Sequence, residues 1–246
     1  MIRVKSKFRS YVRGVVIILF LVIGFSLILN KEIRNLLIAQ NSNKYQVTNV
    51  DKATLKKNQK ANTSFDFSAV DSATSESILA NQFDNRKLPV IGGIAIPELN
   101  INLPIFKGLG NAELSYGAGT MKEKQVMGGK NNYALASHHV FGINGSSGML
   151  FSPLDNARNG MKIYITDKEK VFTYIVSSIE VVDPDQSEVI QDISDRRTIT
   201  LVTCYDEAAT KRLIVSGTFH KSTLYKEVDG TVRKAFERKY NQMYNN

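Results

Sequence analysis

The segment RTITLVTCYDEAATKRLIVSGTF, residues 197–219, decides how this chain folds. Its first run, RTITLVTC, alternates β-branched and apolar positions, and Thr, Ile and Val favour the pleated surface of a strand. Its second run, KRLIVSGTF, has the same texture, and the intervening YDEAATK is polar and turn-like, so the whole reads as an antiparallel hairpin. Strand side chains alternate between faces, which puts Thr200, Val202 and Cys204 on one face and Ile199, Leu201 and Thr203 on the other. In the second strand Arg212, Ile214 and Ser216 share a face. For a loop centred near Ala208, the residue numbers of opposed pairs sum to 416. Cys204 then faces Arg212 and Val202 faces Ile214, with Cβ atoms about 4.5–5.5 Å apart. A slip of one residue would undo this pairing.

Upstream, the same strand-and-turn texture begins near Leu88. IGGIAIPEL, NLPIF, NNYALASHHVF, KIYITD and VFTYIVSSIEVV are apolar runs separated by Gly, Pro and polar turn residues. With the hairpin they make about eight short strands, the pattern of a closed or sandwiched β domain. Residues 81–228 are assigned to this domain. Residues 39–80 are rich in Asn, Lys, Gln, Thr and Ser without steady periodicity and read as a stalk, with Ile78, Leu79 and Phe83 available to dock on the domain. Residues 229–246 form a charged, Tyr-rich tail suited to a surface helix.

The N-terminus is of another kind. Residues 1–13 carry Arg3, Lys5, Lys7, Arg9 and Arg13, and GVVIILFLVIGFSLIL (14–29) follows without a charge. Apolar residues continue at Ile33, Leu36, Leu37 and Ile38, so residues 14–38 read as a membrane-spanning helix, its length gap closed by snorkelling Arg and Lys side chains. No small-residue cleavage site follows, which favours an anchor over a cleaved signal peptide. The basic tail stays cytoplasmic by the positive-inside rule, leaving the rest outside. Much of the formal net charge of +9 lies in this tail, and the remainder is interspersed with acidic residues. That pattern argues for a membrane and against nucleic acid.

Cys204 is the single cysteine, so no intramolecular disulfide exists. A lone cysteine is either a buried small hydrophobe or a reactive thiol. The opposed Arg212 tilts the reading to the second, because a nearby guanidinium favours the thiolate and donates to a developing oxyanion. Of the three histidines, His220 lies near a strand end among polar residues and reads as solvated. His138 and His139 are adjacent and point to opposite faces, and one Cys with scattered His gives no zinc spacing. An imidazole beside the thiol would serve as general acid and base, but strand periodicity alone does not bring either histidine to Cys204.

ASHHVF, then TLVTCYD, then KRLIV resembles the class A sortases, over roughly residues 91–219 together with the anchor and stalk. The resemblance implies a mainly β chain, a closed eight-stranded β-barrel with short helices behind an N-terminal transmembrane helix. It implies His138, Cys204 and Arg212 as the catalytic set. Thr203, Val202, Ile214, Ala136, Ser137 and His139 would line the substrate site, with Val189 and Ile190 on a loop (183–194) that closes over it. The implied activity is transpeptidation: an L-P-x-T-G signal is cut between Thr and Gly through a thioester and passed to the amine of a lipid II-type peptidoglycan precursor. A purely hydrolytic cysteine peptidase and a non-catalytic tethered wall-binding domain are the alternatives. Calcium-stimulated relatives carry an acidic cluster before the His strand. Here MKEKQVMGGKNN (121–132) has Lys122, Lys124 and Lys130 around Glu123, so no metal and no calcium requirement is expected.

Overall fold

The computed structural model describes residues 2–66, 74–82, 86–142 and 145–239. Its centre is a closed barrel of eight strands: β1 (Val90–Ile96), β2 (Ile101–Phe106), β3 (Ala118–Thr120), β4 (Asn132–Ala136), β5 (Lys162–Thr166), β6 (Lys170–Val182), β7 (Thr198–Cys204) and β8 (Arg212–Leu224). Around the barrel the order is β1-β2-β3-β4-β7-β8-β6-β5. Most neighbours are antiparallel, but β2–β3 and β4–β7 are parallel. The hairpin register is the one read from sequence: Cys204 pairs with Arg212, Val202 with Ile214 and Thr198 with Thr218.

Alternation along each strand sorts the apolar residues. Ile199, Leu201, Leu213 and Val215 point inward with Tyr133, Leu135 and Tyr174 and fill the barrel. Closure leaves no free sheet edge. Val202, Ile214 and Ala136 belong to a separate outer cluster.

The helices are α1 (Ile2–Ile28), which stays unburied over Tyr11–Ile28, and α2 (Asn30–Tyr45), α3 (Lys52–Asn58), α4 (Ser75–Gln82), α5 (Asn111–Tyr116) and α6 (Gly230–Glu237), which lie outside the barrel. Asp51 caps α3 by accepting from Thr54 N at 2.9 Å, and Asp229 caps α6 by accepting from Thr231 N at 2.7 Å. Phe236 of α6 is fully buried in a second apolar cluster with Val47, Leu55 and Phe106. The tail expected to form a surface helix therefore does so over Gly230–Glu237, and it is seated by that ring; residues 240–246 lie outside the described residues.

The stalk reading requires correction. Residues 30–58 do not stand off the barrel but pack on it. Arg34, Asn35, Ile38, Ala39 and Ser42 of α2 are buried, and Ser42 Oγ donates to Tyr116 O at 2.7 Å. Val47 lies on β1 where Gly93 leaves room: a Cβ there would stand 2.6 Å from Val47 Cγ1. Ile78 is fully buried in the main core, Leu79 stays half exposed, and Phe83 lies outside the described residues. The anchor boundary shifts too. The span-like stretch is Tyr11–Ile28, none of it buried, whereas Ile38, assigned to the anchor at first, is buried against the barrel.

Candidate active site

Cys204 ends β7 and Arg212 begins β8, directly opposite. The loop between them is folded by Asp206. Its Oδ1 accepts from Thr210 N at 3.0 Å, and its Oδ2 accepts from Thr210 Oγ1 at 3.0 Å and Lys211 N at 2.9 Å. These bonds hold the Asp206 carboxyl below its ordinary range, the Thr210 backbone N–H contributing most. The tight loop directs carbonyls at the guanidinium, and Arg212 Nη1 donates to Ala209 O at 2.8 Å and Lys211 O at 3.1 Å. Arg212 is thus fixed as a fork rather than as a loose charge.

The thiol's electrostatics differ from the simple expectation. Burial pushes the Cys204 thiol up, Arg212 pulls it down, and Asp206 pushes it up again, for a net rise. The guanidinium acts in the expected direction, but desolvation outweighs it. Attack therefore gains from a base that takes the thiol proton.

His138 supplies an imidazole through the parallel β4–β7 pairing, which sequence periodicity could not reveal. Ala136 pairs with Val202, and Ser137 N donates to Val202 O at 3.2 Å. His138 follows two residues after Ala136, as Cys204 follows two residues after Val202. Ser137 is pinned on all sides: its Oγ donates to Gly117 O at 2.6 Å, and its O accepts from Thr203 Oγ1 at 2.8 Å. His138 O accepts from Phe151 N at 3.1 Å, and the residue is buried to 8 % exposure. Cys204 and Arg212 therefore occupy adjacent strand ends, and His138 lies two residues past the end of β4, the parallel neighbour of β7.

An apolar cluster extends from the thiol along the outer face. Ala136, Val202 and Ile214 join Leu109, Leu114 and Val182, with Met121, Val189 and Ile190 packed against them. The 3₁₀ turn Ser187–Ile190 is held there by Asn132, whose Nδ2 donates to Val189 O at 3.1 Å. Asp192 Oδ1 accepts from Asn132 N at 2.8 Å and meets Lys122 Nζ at 2.5 Å. Lys122 is the main reason the Asp192 carboxyl lies below its usual range. Lys130 and Asp195 make a second tie at 2.9 Å. Among the described residues no three His, Cys, Asp or Glu side chains converge on one point.

Of the residues read as lining the substrate site, Val202, Ile214, Ala136, Val189 and Ile190 come together. Three others take framework positions: the hydroxyls of Thr203 and Ser137 are engaged with backbone, and His139 Nε2 lies 2.8 Å from Asp155 Oδ2 with its ring stacked on Phe141 at 4.0 Å. Asn132, Val182, Leu109 and Leu114 were not singled out from sequence. Only the strand alternation of Asn132 and Ala136 hints at a shared face.

A barrel that presents one thiol between a histidine-bearing strand end and a fixed guanidinium, beside an apolar groove, is the architecture of a cysteine transpeptidase. A sortase domain matches residues 94–220, and the chain belongs to the sortase family. Within it the likeness is to class A. The chain is 56% identical to Sortase A of Streptococcus agalactiae over 236 residues, covering 96% of each. It is 36% identical to Sortase A of Listeria monocytogenes over 214 residues, 86% of this chain and 94% of that protein. The solved structure of Listeria monocytogenes sortase A superposes with a TM-score of 0.55 at 37% identity, covering 61% of this chain and 99% of that one.

Proposed function

We propose that this protein is a single-pass membrane enzyme that cuts L-P-x-T-G-type sorting signals between Thr and Gly and transfers the new carboxyl end to the amine of a lipid II-type peptidoglycan precursor. The observation that carries the reading is the cross-strand pairing of Cys204 with Arg212, with His138 two residues beyond the end of the parallel neighbour β4.

The sulfur attacks the threonine carbonyl while its proton passes to His138. Arg212 donates to the oxyanion that forms. The intermediate collapses as His138 gives its proton to the departing glycine nitrogen, leaving a thioester on Cys204. The acceptor amine then attacks the thioester, His138 takes the proton lost by that nitrogen, and the sulfur leaves and recovers the proton. The Ala136–Val202–Ile214 groove offers an apolar seat for the Leu-Pro part of the signal, with Val189 and Ile190 as its wall. The exposed apolar stretch of α1 up to Ile28, with basic residues concentrated at the helix's amino end, suits an anchor with its N-terminus in the cytoplasm and the barrel outside. The Lys122–Asp192 contact already joins the 183–197 loop to the segment before β4, which supports catalysis without calcium.

The test is a labelled L-P-x-T-G peptide with and without an amine acceptor. Amine-dependent ligation that vanishes in Cys204→Ala is expected. Absence of cleavage by the wild type, or cleavage that persists in Cys204→Ala, would remove the reading.

A further inference from the structure

The anchor helix is followed by the barrel-bound α2 after a single intervening residue, Leu29. The backbone bonds run through it: Leu29 N donates to Phe25 O and Ile33 N donates to Leu29 O, both at 2.9 Å. The first turns of α2 then grip the loop that follows His138. Arg34 Nη2 donates to Phe141 O at 3.0 Å, and Arg34 Nε donates to Asn35 Oδ1 at 3.1 Å. Asn35 Nδ2 donates to Ser146 Oγ at 3.3 Å, and both residues are buried. Lys31 lies over Gly142, so that a Cβ there would meet Lys31 Cδ and Nζ at 3.3 Å. Ile38 packs in the same core as Val140 and Met149 of this loop.

The position of the grip along the helix is informative. Arg34 is five residues past the last apolar residue of the span, about 8 Å along a helix axis. The headgroup layer on one side of a bilayer is roughly 5–8 Å thick. A free stalk over 39–80 would instead let the domain wander by about 35 Å. The gripped loop directly follows His138, the residue proposed to exchange protons with the amine nitrogens.

We infer that the α2 clamp holds the His138 end of the barrel at headgroup level, so that the second half-reaction is matched to an amine carried on a lipid of the same bilayer. This rests on the proposed transfer to an amine acceptor. A flexible tether would serve a soluble acceptor equally well. A helix that fixes the cleft's height gains only when the acceptor is itself confined to that height, because confinement raises effective concentration.

The experiment uses the full chain in proteoliposomes with a labelled L-P-x-T-G peptide. One dipeptide amine is supplied free in solution or coupled to a phospholipid headgroup in the same bilayer. A helical insert of about two turns between Leu29 and Asn30 lifts the barrel by ~10 Å with little rotation. The insert is expected to lower transfer to the lipid-coupled amine on the order of tenfold while transfer to the free amine stays within about twofold. The free-amine rate also reports that the variant is folded. Equal rates before and after insertion on both acceptors overturn the inference, as does an equal loss on both. A wild type that uses the free amine but not the lipid-coupled one overturns it too, with the transpeptidase reading intact. A wild type that uses neither amine removes that reading and this inference together.

Discussion

Thr203→Val is the most informative single change, because it leaves the thiol, the imidazole and the guanidinium in place. Thr203 is 2% exposed, and its hydroxyl donates to Ser137 O at 2.8 Å, one peptide before His138. Valine has the same shape without the donor. A buried carbonyl deprived of its donor costs about 1–3 kcal/mol. In a domain of this size that lowers Tm by about 2–12 °C, at roughly 2–4 °C per kcal/mol. If the Ser137 peptide relaxes toward another partner, His138 moves relative to Cys204, and a shift near 1 Å costs up to about a hundredfold in rate. The expected outcome is a kcat for transfer reduced about ten- to a hundredfold with KM little changed. The pH profile of Cys204 alkylation should stay put, since Arg212 is untouched. Thr203→Ser, which keeps the hydroxyl, should restore both melting point and kcat. A valine variant that melts lower yet transfers at the wild-type kcat would refute the claim that this bond positions His138.

Arg212→Ala should move Cys204 alkylation to higher pH, because a cation that favours the thiolate is gone, while Arg212→Lys should leave that profile close to wild type. Both should lower transfer on the order of 10²–10³-fold through loss of the oxyanion fork. An unmoved alkylation profile in the alanine variant would contradict the electrostatic role. Calcium and chelator should each leave the wild-type rate unchanged, whereas Lys122→Ala should make the 183–197 loop more open to proteolysis. The same loop should loosen on acidification. Asp192 is held below the usual carboxylate range, so its tie is present at neutral pH and is lost as pH falls through that lowered value. Gly93→Ala forces a Cβ to within 2.6 Å of Val47 Cγ1 and should destabilise the α2-to-β1 seam, by about 1–3 kcal/mol as for other overpacked sites, read by thermal melting.

Local patterning made the 197–219 hairpin legible. Period-2 alternation and a short polar loop leave few registers, and opposing Cys204 to Arg212 needs nothing beyond them. His138 was different. The strand before it pairs in parallel with the strand of Cys204, 66 residues away, for which no local turn chemistry exists; only the family resemblance pointed to it. The docking of α2 was hidden for another reason. Its buried face is made of Arg34, Asn35 and Ser42 as much as Ile38 and Ala39, so it shows no apolar stripe. Those polar groups are satisfied by backbone and side chains of the barrel, information that lies in the partner surface. The net elevation of the Cys204 thiol likewise depends on burial, which a neighbour count from sequence omits.

The final strand, β8, is not at the rim of the sheet but sits between β7 and β6. A chain made amino-end first therefore cannot close the barrel: β6 and β7 lack their shared neighbour until residues 212–224 arrive. Throughout that interval the sulfur lacks the guanidinium opposite it and the Ile214 side of the groove. Barrel closure and completion of the Cys204–Arg212 pair thus coincide, because the strand that staples the sheet shut also brings the guanidinium.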